Sequence, residues 1–387
     1  MDNLTHSLVG LTAAKAGLDS LSPGSTTLCV LAANAPDIDI LVLIFRGRWA
    51  FLQQHRGITH SIVGAAALAL ALPLVFYLGD RVLAQLRKRE PRVRLKGLVL
   101  ASILATATHP ILDWSNNYGM RFLLPWNPRW SYGDFTFVVD PIFWIVLGGA
   151  AFLATSRKLS HLVIWFLLAL APTYLVLVRL ASEVPAGNAN TLRLIWIVVL
   201  IALVPLYRRE HGRRAGPKIA LAALVAVTIY SAGLFATHAV ALRKANAEAL
   251  AIANTNGEEV VKIAAMPTLA NPLNWLCVFE TNRATYKFDL SLLRDLPPSA
   301  MIARFEKPSA LSAAAVGQAE RDERAQVFLG FARFPGMRVV GEDCATQTLV
   351  QFADIRYTEP GKLPGGGRGS FSLEVPVDCP LPDKLNK

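Results

Sequence analysis

Charge is what this chain has least of. Of its 387 residues only 17% are Asp, Glu, Lys or Arg, while 53% are hydrophobic. Soluble globular chains carry about 25% charged residues, so the deficit excludes an ordinary soluble protein and points to a bilayer. Acids are scarcest toward the N-terminus. Residues 1–242 hold 22 Lys/Arg against 11 Asp/Glu, whereas residues 243–387 hold 17 of each. The whole surplus of +11 therefore lies in the apolar part. A basic surplus can mark nucleic-acid binding, but these basic residues gather in short links between apolar runs. That is the positive-inside pattern, and no nucleic-acid partner is expected. Cysteine is scarce too: Cys29, Cys277, Cys344 and Cys379 form no CxxC pair, which argues against a thiolate metal site. A cleavable signal peptide is not expected either, because no basic n-region leads and Asp2, His6 and Lys15 interrupt the first apolar stretch.

What is present is a series of long apolar runs. About 20 such residues span a bilayer, and residues 57–79, 97–113, 136–155, 160–181, 191–207 and 218–240 qualify as segments. Ahead of them, residues 4–44 form two shorter apolar stretches around "DSLSPGS", read as a helical hairpin that need not fully span. Loop charge orients the series. The 80–96 loop carries seven Lys/Arg, the 156–159 link carries Arg157 and Lys158, and the 208–218 loop carries five more. Simple alternation puts all three on one side, whereas the intervening loops hold only Arg121 and Arg129. The basic side is then cytoplasmic, and the last segment delivers residues 243–387 outside.

That tail reads as a small water-soluble domain of α+β type, rich in strands. "ATYKFDLSL", "TLVQFADIRY" and "SFSLEVPV" alternate in the manner of strands, "SALSAAAVGQAERDERAQVFL" looks helical, and "PGGGRG" is a turn or loop. The expected organisation is an all-α membrane domain over residues 1–242 and a soluble domain over 243–387.

Polar residues inside the apolar part are the informative exceptions, because ionisable groups in hydrocarbon are costly. "THSLVG" at 5–10 is nearly repeated as "THSIVG" at 59–64, and each copy opens an apolar stretch. In "ATHPILDW", His109 and Asp113 are four apart and share a helix face. The plain alternative is a hydrogen-bonded pair that packs two helices. In "APDID", Pro36 favours a break, and Asp37 and Asp39 point the same way if extended but diverge by about 200° if helical. Capping acids at a helix end are the plain alternative there. In "QHRGITHS", Gly57 permits a tight turn and Thr59 can cap the next helix. His60 is favoured as a ligand, His55 as a substrate contact, and Arg56 as an anion clamp or a snorkelling interfacial arginine. Alternation brings His55, His60, His109 and Asp113 to the outer ends of their segments, with Asp37 and Asp39 at the same level and His6 able to join. His161 and His211 fall toward the cytoplasmic side, and His238 is another "ATH" with no acid nearby. Imidazoles and carboxylates together suit Zn²⁺ or a related divalent ion, one or two in number. Gly10 and Gly64, four residues beyond each histidine, are expected to let helices approach closely.

In order, "THSLVG…APDID…HRGITHS…HPILDWSNNYG" and "PW…DFTFVVDP" resemble the YdjM-like family of inner-membrane, metal-dependent hydrolases, described as LexA-binding. The resemblance covers about residues 1–145. It implies His6, Asp37, Asp39, His60, His109 and Asp113 as the polar core, and it draws attention to Asp140, whose plainer role is a helix cap. The order His, Asp, His, then His-x3-Asp is also similar to the first part of the zinc-dependent phospholipase C pattern, but no later His…His-x3-Glu group follows.

The expected protein is a multi-pass hydrolase of a bacterial-type inner membrane. Metal would be held by His6, Asp37, Asp39, His60, His109 and Asp113, with Asp37, Asp39, His55 and Arg56 doing the chemistry on a lipid or lipid-linked phosphoester and Arg121 offering a second phosphate contact. Two rivals come from other classes: a membrane regulator or scaffold with a structural metal, and an ion or proton transporter. A transporter would need ionisable residues at several depths, and here they gather at one end.

Overall fold

The computed structural model describes residues 1–179, 186–208, 211–269, 271–293, 302–309, 312–341, 348–361 and 371–378. Cys344, Cys379 and the "PGGGRG" stretch lie outside the described residues. The chain divides into two compact units. One comprises Met1–Asp39, Arg56–His238 and Pro267–Pro272; the other comprises Ile40–His55, Ala239–Met266 and Leu273–Lys387. The sequence places the boundary after residue 242; in the first unit the chain runs to His238, and Ile40–His55 falls outside it.

The first unit is helical. α1 (Asn3–Lys15) and α2 (Ser25–Asn34) form the N-terminal hairpin. Asp2 starts α1 by accepting the Thr5 N–H at 2.9 Å, which satisfies one of the free donors of a first turn. Gly17 (φ 141°) and Gly24 (φ 86°) make the turn possible, since no side chain favours those angles. The two helices lie against each other closely enough that a methyl group on Gly10 would stand 2.5 Å from the Cys29 carbonyl oxygen. Gly10 thus behaves as the sequence suggests. Gly64 does not: a methyl group there would meet the Ile58 carbonyl of its own preceding turn, not a neighbouring helix.

α4 (Ile62–Leu86) descends from the hairpin's open end and α5 (Leu95–Trp114) returns to it. The hairpin tip reaches the start of α5, where the Arg94 N–H donates to Ser22 Oγ at 2.9 Å and its guanidinium to the Ser20 carbonyl at 2.8 Å. The hairpin therefore extends to the basic end of the bundle. α6 (Pro141–Thr155), α7 (Leu159–Leu177), α8 (Ala186–Arg208) and α9 (His211–Asn256) complete the unit or leave it. Leu8, Phe143, Leu147, Trp196 and Val227 form its central core. The apolar run at 136–155 becomes helical only from Pro141. Asp140 caps α6 through the Ile142 N–H (2.9 Å), and proline at the first helical position has no N–H to satisfy.

Among the described residues six helical stretches are long and apolar enough to cross a membrane, and the shorter α6 is apolar too. The protein is a multi-pass membrane protein with a sheet-rich C-terminal region. There, β1 (Val260–Thr268), β2 (Asn271–Thr281), β3 (Ala284–Ser291) and β4 (Ala303–Glu306) form a sheet in chain order. β5 (Pro335–Val340), β6 (Thr348–Asp354) and β7 (Ser372–Val377) form a second. The three strands read from alternation are β3, β6 and β7. The helical stretch is broken into α10 (Ala313–Ala319) and α11 (Glu323–Phe331), because Asp322 turns to accept the Arg324 N–H at 2.7 Å. Glu258 is buried, which by itself would raise its pKa. Hydrogen bonds from Thr281, Arg304 and Tyr286 outweigh that and hold the carboxyl below the usual range.

Candidate metal centre

Four of the expected ligands converge, each from the end of a helical element. α5 supplies two from its last turns. His109 and Asp113 lie on one face, as the four-residue spacing requires. The Nδ1–H of His109 donates to the Ala33 carbonyl at 2.7 Å, which fixes the ring and leaves Nε2 as the lone-pair nitrogen. That Nε2 is fully buried and has no hydrogen-bond partner. It faces Asp113 Oδ2 at 3.5 Å and Asp37 Oδ1 at 3.6 Å, distances too long for good hydrogen bonds. An orphaned imidazole nitrogen between two carboxylate oxygens fits a cation held among them.

Asp37 and Asp39 lie on a 3-10 turn, Ala35–Asp39. At three residues per turn, positions two apart diverge by about 240°, so the two carboxylates cannot point the same way. They bracket one ring instead. Asp37 Oδ1 is 3.2 Å from His60 Nε2, and Asp39 Oδ2 is 3.4 Å from His60 Nδ1. Asp39 also accepts the Arg56 N–H at 3.1 Å. The extended alternative for "APDID" does not hold, and Asp39 stands behind His60 rather than across from Asp113.

Asp37, His60, His109 and Asp113 each offer one donor atom, and these atoms all lie within 4.8 Å of one another. Two imidazole nitrogens and two carboxylate oxygens make a set that Zn²⁺ and related divalent ions accept. His6 adjoins them. Its ring stacks on His109 at 3.8 Å, and its Nε2 is 3.3 Å from Asp113 Oδ1.

The remaining expected residues fall differently. Arg56 is 4% exposed and is no snorkelling side chain. Its guanidinium donates to Asp113 Oδ1 (3.1 Å), the Asp113 carbonyl (3.1 Å), Asn116 Oδ1 (2.9 Å) and the Gly119 carbonyl (3.3 Å). It also stacks over Tyr118 at 4.6 Å. His55 belongs to the other unit and stacks on Phe51 at 4.5 Å. Asp140 takes the capping role, with Tyr230 donating to its other oxygen at 3.0 Å. Arg121 lies over the Trp130 ring at 4.6 Å.

The repeated "THS" has one sequence and two structures. In the first copy His6 lies within α1. In the second, His60 ends a 3-10 turn, and Ser61 rather than Thr59 caps α4 through the Gly64 N–H at 3.1 Å. Asn116, Tyr118 and Gly119 are the contributors that sequence reasoning did not single out. Their signal is the polar run "SNNYG" directly after an apolar helix, closed by a glycine at φ 90°.

Residues 1–185 match the family model described as YdjM inner membrane protein, so the family resemblance is borne out over that range. A Bacillus subtilis protein described as "Uncharacterized protein YfhP" is 29% identical over 155 residues, which covers 38% of this chain and 43% of that protein. The chain thus spans less than half the length of that relative. No solved structure matches significantly.

Proposed function

We propose that this membrane protein is a metal-dependent hydrolase whose substrate is a lipid or lipid-linked phosphoester. The observation that carries the reading is the set of half-buried Asp37 and buried His60, His109 and Asp113, with donor atoms within 4.8 Å, at the ends of apolar helices. Evolution rarely retains so many ionisable groups there without a task. A divalent ion at such a set lowers the pKa of bound water and polarises a phosphoryl oxygen. The chain's own residues divide the remaining work. Arg56 is committed to protein groups, so it positions Asp113 instead of clamping an anion. Asp39 holds His60 from behind. Asp37 is the one cluster carboxylate with real exposure, 17% of its side chain against 2% for Asp113, so water and substrate reach the cluster on its side. That makes Asp37 the group to take a proton from attacking water.

Zn²⁺ is the favoured ion, and the partial phospholipase C motif order supports a phosphoester over an amide. Purified protein is expected to contain a divalent metal in stoichiometric amount and to cleave members of a phosphoester panel, with chelation abolishing both. Metal without turnover on any phosphoester would favour the structural-metal regulator, a reading that the complete burial of His60 and His109 also suits. His60→Ala and His109→Ala should each remove most of the metal from folded protein, and His238→Ala should not. Equal metal in all three would return the histidines to packing.

The same reading puts the cluster at the outer face. α4 and α5 are joined through Arg87–Arg94, and α6 and α7 through Arg157 and Lys158, so their cluster ends lie opposite the basic side. The C-terminal region follows α9 to that outer side. A reporter that matures only in the cytoplasm, fused after residue 387, should therefore be silent, and strong signal from it would invert the topology.

A further inference from the structure

We infer that Ile40–His55 is a helical hairpin whose apolar tip beds in the leaflet on the cluster's side of the membrane and whose Arg46 and Arg48 hold anionic phospholipid headgroups. By length and composition, Ser25–Gln54 reads as one membrane span of 30 residues. Geometry forbids that. α3 (Ile40–Gln54) is flanked by Asp39 and Arg56, and the Arg56 N–H donates to Asp39 Oδ2 at 3.1 Å, so the two ends of the segment meet. A straight helix of its 15 residues would hold its ends about 22 Å apart. The chain must reverse, and it does so at Gly47, whose φ of 79° and ψ of −179° interrupt the helix. No atom lies within 4 Å of where a Cβ on Gly47 would stand, so the bend is an open tip. Each arm is then about 10 Å long, far short of the roughly 30 Å hydrocarbon core. The segment leaves the end of a membrane helix and returns to the same place.

What this hairpin displays identifies its partner. Ile44 is 68% exposed and Phe45 79%, with Leu41 and Leu43 exposed beside them. Arg46 and Arg48 follow immediately and are exposed as well, and Arg48 lies 4.9 Å from the ring centre of Trp49. Apolar residues, cations and an indole in adjacent positions are the composition of an interfacial element, with side chains in the acyl boundary and arginines at phosphate depth. One side of α3 packs against α11, which leaves the apolar tip to be covered from elsewhere. Two arginines with no acid between Asp39 and the tip select an anionic surface. The tip's short tether to the ends of membrane helices keeps it within about 10 Å of that surface. The inference does not require turnover, so it stands or falls apart from the hydrolase reading.

The test uses full-length protein in vesicles, with an environment-sensitive fluorophore on Phe45→Cys or, as a second position, Ile44→Cys. Labelling of the parent protein is subtracted, and exposed Glu320→Cys serves as the aqueous control. In phosphatidylglycerol vesicles the tip probe should be quenched by lipids brominated near the headgroup and shielded from iodide at least about twofold relative to position 320. Arg46→Glu combined with Arg48→Glu should remove that shielding, and so should replacing phosphatidylglycerol with phosphatidylcholine. Iodide quenching at both tip positions equal to the control would overturn the inference and mark a surface for a soluble partner. Shielding unchanged by lipid charge and by the arginine replacements would overturn the headgroup assignment.

Discussion

Asp113→Asn is expected to strip the protein of metal and of any phosphoesterase activity without unfolding it. Asp113 Oδ2 lies 3.5 Å from Nε2 of both His60 and His109, so this carboxylate is common to both imidazole ligands. Asn has nearly the same shape and can still accept a hydrogen bond, but it brings no negative charge to a cation. Arg56 keeps its bonds to the residue 113 carbonyl, Asn116 and Gly119, so the local fold has support in the variant. Metal affinity should fall by at least about 100-fold, the upper end of what losing a mere outer-sphere partner costs. A thermal melt separates loss of metal from loss of fold. Metal at 100 times its dissociation constant stabilises the parent by about 2.7 kcal/mol. The variant should gain almost nothing from metal, and its metal-free melt should lie below the parent's because the buried Arg56 guanidinium loses the Asp113 counter-charge. Full metal and normal turnover in Asp113→Asn would reduce "HPILD" to a helix-packing pair.

Arg56→Ala should be strongly destabilising in the membrane unit, at about 1–3 kcal/mol in metal-free protein, the usual cost of leaving buried acceptors unpaired, because Asp113 keeps the Met1 ammonium as an ion-pair partner. Two features make the loss large. The guanidinium reaches both the side chain and the carbonyl of Asp113, and it ties the start of α4 to the turn after α5 through Asn116 and Gly119. Arg56→Lys should rescue little, since a single ammonium cannot fill a planar fork of four acceptors. The backbone offers a control. Arg56 has a φ of 52°, which Gly adopts without strain, so Arg56→Gly should be milder than Ala by about 1 kcal/mol but no more. Unfolding in detergent after chelation, with and without added metal, gives the measurement. A loss below about 1 kcal/mol in Arg56→Ala would mean that the fork does not hold the charge of Asp113.

Much of the centre was legible because helix geometry is local. His109 and Asp113 share a face by their spacing alone, and the metal-type chemistry follows from residue type. "APDID" was not decided locally: Pro36 permits both an extended chain and a tight turn, and only packing of the 3-10 turn against His60 separates the roles of Asp37 and Asp39. Arg56 was misjudged for a similar reason. An arginine beside an apolar segment can snorkel or turn inward, and the acceptors that draw it inward come from Asp113, Asn116 and Gly119, about 60 residues away. Ile40–Gln54 is apolar enough to extend the run before it, yet it turns back at Gly47, since apolar composition reports affinity for lipid and not the direction of the chain.

By itself the sequence determined that this is a multi-pass membrane protein with a strand-rich C-terminal region, and that histidines and acids sit at the ends of its apolar runs. Those conclusions depend on transfer energies and on the 3.6- and 2-residue periods, which act residue by residue. Only the tertiary structure decided which acid faces which imidazole nitrogen, what Arg56 holds, and where the chain doubles back at Gly47. Each of these depends on contacts between residues far apart in the chain, or on a backbone angle that glycine permits without dictating.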